Sequence, residues 1–111
     1  MPAALLSIAT IDDTIPIRLM GTEPRPGSAR EIHNAGVLLY QGEASRGSAL
    51  SRYRFIVEFG SENGAGAFAN WLWSELHGHA SVLKIGDDDV PVQHGAIKRA
   101  LLVAAAAALV E

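Results

Sequence analysis

Three of the four histidines in this 111-residue chain fall within HGHASVLKIGDDDVPVQH, residues 77 to 94, around a run of three aspartates. Neutral imidazoles are good ligands for zinc and nickel, and three of them with one open position is the ligand count of a catalytic zinc. If Ile85 faces Val90 across a hairpin, then Leu83 faces Val92 and Ser81 faces His94. His79 is then a diagonal neighbour of His94, within reach of one ion, and His77 can join as an H-x-H pair. Gly78 and a helical setting for His77 break this alternation, so helix-end and strand-end histidines are the competing reading, and the more economical one. Asp87, Asp88 and Asp89 stand at the far end of the hairpin, roughly 13 Å from His94 at the rise of a strand. They lack the D-x-D-x-D-G spacing of a calcium loop and fit a solvated turn.

Two further stretches imitate chemistry. Gly64-x-Gly66-x-x-Ala69 follows a strand-like segment and opens a helix, as a dinucleotide fingerprint does. Gly60 to Asn63 intervene, however, and the 45 residues after Gly66 are too few for a nucleotide fold whose first strand begins at residue 52. Gly64 and Gly66 are therefore expected to serve helix entry, and no cofactor is expected. Arg46, Arg52 and Arg54 interleave with Tyr53 and Phe55, a composition that can bind single-stranded nucleic acid. Strand parity puts the arginines and the rings on opposite faces, so they form no common stacking platform. Neither a G-K-[ST] nor a G-x-S-x-G motif occurs.

Composition narrows the classes further. Hydrophobic residues make up 49% and charged residues 19%, as in a globular protein. The length of residues 1–111 suits a single domain. Cysteine is absent, which excludes disulfides and thiolate zinc sites. The net charge is −3, and residues 55 to 111 carry seven acidic against three basic side chains. That sign disfavours a nucleic-acid partner. Seven arginines to two lysines, with abundant alanine, suit a GC-rich bacterial genome. MPAALLSIATIDD lacks the basic start of a signal peptide. The apolar run Ala100 to Val110 is eleven residues, too short to span a bilayer. A cytoplasmic protein with no membrane partner is the expectation.

The elements that must position these residues follow from periodicity. Ile15, Ile17 and Leu19 alternate as in an edge strand entered at Pro16, and residues 3 to 9 suggest an earlier strand. Residues 21 to 31 read as a loop, Gly36 to Gly42 as a strand, and SRGSAL as a turn. SRYRFIVEFG places Tyr53, Phe55, Val57 and Phe59 on one face, with Arg52, Arg54, Ile56 and Glu58 on the other. A helix over Ala65 to His77 is expected, capped by Ser61 or Asn63, with Ala65, Phe68, Ala69, Leu72 and Leu76 as its buried stripe. Trp71 and Trp73 lie on opposite flanks of that stripe. The hairpin and a last helix starting near His94 to Ala96 complete the chain. The fold class is α+β: an antiparallel or mixed sheet of four to five strands with two helices on one face.

The last helix is apolar on every side. Ile97, Leu101, Ala105 and Ala108 suffice to cover a sheet, which leaves Leu102, Val103, Leu109 and Val110 over. With Trp71 and Trp73, these residues are the expected interface. The sequence thus points to a small non-enzymatic domain acting by self-association, most simply a homodimer, or by binding another protein. The alternative is a metal-binding protein or metal-dependent enzyme using His77, His79 and His94.

Overall fold

The computed structural model describes residues 3–45, 51–59, 62–79 and 81–110. In chain order the elements are β1 (Ala3–Thr10), α1 (Ile15–Met20), β2 (Ala29–Ile32), β3 (Gly36–Ser45), β4 (Ser51–Phe59), α2 (Glu62–Leu76), β5 (Ser81–Ile85), β6 (Asp88–Val90) and α3 (His94–Val110). All six strands form one antiparallel sheet in the order β2-β3-β4-β1-β5-β6. The α+β class holds, with one strand and one helix more than the sequence predicts.

The extra helix is a correction. Residues 15 to 20 are helical, although the alternation of Ile15, Ile17 and Leu19 reads as a strand. Two pairs spaced by four residues, Ile15 with Leu19 and Pro16 with Met20, are the buried ones, while Ile17 and Arg18 point outward. Pro16 falls in the first turn, where a missing N–H breaks no helical bond. Gly21, at φ 79, ends the helix and donates its N–H to the Ile17 carbonyl at 2.8 Å. In the 21–31 segment, read as loop, the last residues belong to β2.

β1 occupies the centre of the sheet. It pairs along its whole length with β4 and along Leu6 to Thr10 with β5. The connection β4–α2–β5 therefore crosses over β1. On one face of the sheet Leu6, Ile8, Leu38, Phe55, Val57 and Leu83 meet Ile15 and Leu19 of α1, Phe68 and Leu72 of α2, and Ile97 and Leu101 of α3 in one core. Tyr53, Phe55, Val57 and Phe59 are buried as their parity predicts. So is the whole α2 stripe of Ala65, Phe68, Ala69, Leu72 and Leu76.

α2 begins earlier than expected, so Asn63 lies inside the helix and is not its cap; Ser45 ends β3, while residues 46–50 of the SRGSAL turn, and Ser61, fall outside the described residues. The β5–β6 hairpin is tighter than the sequence register. Leu83 pairs with Val90 and Ile85 with Asp88, which leaves Gly86 and Asp87 as a two-residue turn. Gly86 takes φ 63, as the first central position of a II′ turn requires. Its N–H donates to the Leu5 carbonyl at 2.8 Å and ties the turn to β1.

The two fingerprint-like glycines do different work. A Cβ on Gly64 would lie 2.3 Å from the Ala35 carbonyl oxygen, so only glycine lets α2 start against the β2–β3 turn. A Cβ on Gly66 would meet nothing closer than the Lys98 side chain at 3.9 Å. The two alanine variants should therefore move stability in opposite directions. Gly64→Ala is expected to destabilise by about 2–3 kcal/mol through overpacking against rigid backbone. Gly66→Ala is expected to stabilise by roughly 0.5–1 kcal/mol through helix propensity. Urea unfolding of the pair measures both.

Candidate functional site

The three candidate ligand histidines come to rest on different partners. His77 follows the last residue of α2, and its Nδ1 lies 3.1 Å from the carbonyl oxygens of both Trp73 and Ser74. Carbonyls only accept, so Nδ1 carries the proton. The ring stacks on Trp73 at a centroid distance of 4.5 Å and an angle of 12°. His94, the first residue of α3, meets the same indole edge-on at 5.6 Å and contacts the Asn70 side-chain oxygen through Nε2. Trp73 thus sits between two imidazoles and joins the end of α2 to the start of α3.

His79 points elsewhere. Its Nδ1 is 2.8 Å from Asp12 Oδ2, across the gap between the α2–β5 and β1–α1 connections. His94 does not face Ser81, because the hairpin is two residues shorter than that register needs and His94 is helical. Among the described residues no three His, Asp or Glu side chains are grouped to hold a metal ion.

Asp12 is held below its ordinary carboxyl range. The Thr14 hydroxyl is the largest cause, followed by the Thr14 backbone N–H at 2.9 Å, with His79 contributing less. A carboxylate depressed in the folded state adds stability above its unfolded pKa of about 3.9. That stability is lost as pH falls through the folded value. Asp12→Asn is accordingly expected to lower the urea midpoint at pH 7, and the difference from wild type should vanish near pH 2. Paired denaturation curves at the two pH values measure it. Burial raises the Tyr40 and Tyr53 phenols above their ordinary value, which removes both as bases near neutral pH.

Both tryptophans are half-buried and have partners within the chain. Trp71 packs on Phe68 at 5.5 Å, and the Arg30 guanidinium lies 5.6 Å from its ring centroid. This cation–π contact pins β2 to α2, beside a shallow 310 Å³ recess.

α3 divides as its sequence predicts. Ile97, Leu101 and Ala105 are buried, whereas Leu102 is 40% and Val103 64% exposed. The side chains of Ala108, Leu109 and Val110 fall outside the described residues. Val103 and Ala100 form one wall of a cleft of about 650 Å³. The start of β1 and the β5–β6 hairpin form its other walls, with Arg99 on one side and Asp87 to Asp89 on the other. No helix among the described residues is long and apolar enough to cross a membrane.

Among the described residues no helix lies on the opposite face of the sheet. Leu5, Val82, Ile56 and Leu39 lie there beside Arg52, Arg54, Lys84 and Glu58. The sequence had separated Arg52, Arg54, Ile56 and Glu58 from the aromatic side of β4. It did not reveal their neighbours on β1 and β5, because those follow from long-range pairing. No protein-family model, curated protein or solved structure matches the chain.

Proposed function

We propose that the protein is a small non-enzymatic association module, working by self-assembly or by holding a second protein. One observation carries this reading: its own fold leaves large aliphatic side chains uncovered on α3, Leu102 and Val103 above all. At their partial exposure the two together forfeit about 1.5–3 kcal/mol relative to full burial, a sizeable fraction of the stability of a whole domain. The groups that could do chemistry support the same reading. Three of the four histidines, His77, His79 and His94, are engaged by backbone carbonyls, Asp12 and Asn70, and burial raises the two phenols above their ordinary value.

Leu102 and Val103 are adjacent on the helix and about 100° apart around it, so a double glutamate variant charges two flanks at once. Ile97, Leu101 and Ala105 remain to hold α3 on the sheet. Sedimentation of Leu102→Glu/Val103→Glu should show a smaller species than wild type, with unchanged helical circular dichroism. A wild type that sediments as a monomer at high micromolar concentration would overturn self-assembly as the mode of action.

A further inference from the structure

The bare face of the sheet carries a pattern that the helical side lacks. Pairing aligns its outward side chains in rows across the strands. Leu39, Ile56 and Leu5 form an apolar row through β3, β4 and β1. Two residues along β4 in one direction stands Glu58, with Val37 and Ala3 beside it and Glu31 on β2 opposite Val37. Two residues in the other direction stands Arg54, in line with Gly42, Ser7 and Lys84. Arg52 lies one step further on and donates to the Ser7 hydroxyl at 3.1 Å. Among the described residues neither Arg54 nor Glu58 has an ion-pair partner.

We infer that this face is the contact surface for a second copy of the chain, related by a two-fold axis lying along the Leu39–Ile56–Leu5 row. The inference rests on the self-assembly reading and names a surface for it. Rotation about such an axis turns the face onto itself and exchanges the two ends of each strand. Ile56 then meets Ile56 and Leu5 meets Leu5. Glu58 of each copy meets Arg54 of the other, twice over, because the two residues are equidistant from the axis. Opposite charges with no ion-pair partner among the described residues become paired, and the apolar row becomes buried. Aligned sheets pack about 10 Å apart, a gap that side chains of this length fill from both sides.

The edges agree with this occupant. The three rows symmetric about the axis, over the four inner strands, offer about 400 Å² per copy at ordinary strand spacing, the size of a small, reversible interface. Growth by edge addition is discouraged. β2 has four residues and β6 three, with Asp88 and Asp89 on β6 and Pro91 directly after it. Among the described residues a nucleic-acid occupant finds no ring on this face for a base to stack on, since Tyr53 and Phe55 are buried beneath it. α3 lies on the far side of the sheet, so this contact and one through Leu102 and Val103 can coexist.

The test is a charge exchange read by sedimentation of the full chain, with circular dichroism as the check on folding. Arg54→Glu and Glu58→Arg should each weaken association about tenfold or more, because each sets like charges together twice per dimer. The combined variant restores the pairing and should return to within about threefold of wild type. Ile56→Asp, on the axis, should weaken association whatever the charges elsewhere. Assemblies that ignore all three single substitutions yet shrink in Leu102→Glu/Val103→Glu would overturn the sheet-face contact and leave self-assembly standing. A monomeric wild type would remove both, as would a monomer that binds a polyanion through Arg52 and Arg54.

Discussion

The insertion of β1 between β4 and β5 is the constraint on which the rest of the structure depends. Without it the sheet falls into two antiparallel pieces, β2-β3-β4 and β5-β6, neither able to cover three helices. The pairing also fixes parity. Leu6 opposite Phe55 and Ile8 opposite Leu83 put Leu6 and Ile8 on the helical side, and Leu5 and Ser7 on the bare side. A slip of one residue would exchange those sets and bury Ser7 among the aromatic rings. The Gly86 N–H on the Leu5 carbonyl and the full-length β4 ladder hold the register against such a slip. Because its two neighbours lie some fifty and eighty residues further along the chain, β1 closes the sheet only after most of the chain is present.

This explains what the sequence discloses and what it conceals. β4 and the buried stripe of α2 are legible because their periodicities are long and undisturbed. Tyr53 to Phe59 alternates, and Ala65 to Leu76 recurs every three or four residues, so local pattern and tertiary burial agree. α1 is misread because six residues carry both signals: Ile15, Ile17 and Leu19 alternate, while Ile15 and Leu19 are also one helical turn apart. Pro16, taken as a strand edge, is the residue that favours a first helical turn. The hairpin is misjudged by two residues because aspartate is equally at home in a turn and at an exposed strand edge, as Asp88 and Asp89 are.

The candidate sites divide along the same line. Leu102 and Val103 can be read from the sequence because surplus apolarity on one helix is a local property. The partners of the histidines cannot. Asp12 and His79 are brought together by a contact spanning 67 positions, and Trp73 meets His94 through the packing of α2 on α3. Histidine spacing in sequence therefore overstated their proximity to one another and understated their ties to the scaffold. Imidazoles held by backbone carbonyls and a carboxylate fasten helix ends and loops, which is the commoner use of such residues.

Net charge has less bearing on association than its arrangement. A chain at −3 repels its own copies at long range, but that repulsion is screened within about a Debye length. At contact the local pattern decides: Asp88 and Asp89 of the β5–β6 hairpin and Asp12 and Asp13 beyond β1 lie away from the apolar row, while Asp87 borders the recess lined by Arg52, Arg54 and Lys84. The centre of the bare face holds Glu58 at one end and Arg54 at the other, with aliphatic side chains between. Two-layer folds usually leave such a face uniformly polar, because alternation along each strand can place a hydrophilic side chain at every outward position. Here one whole outward row, across β1, β4 and β3, is Leu5, Ile56 and Leu39. Solvation alone gives no reason for those residues, and burial against an equivalent row does.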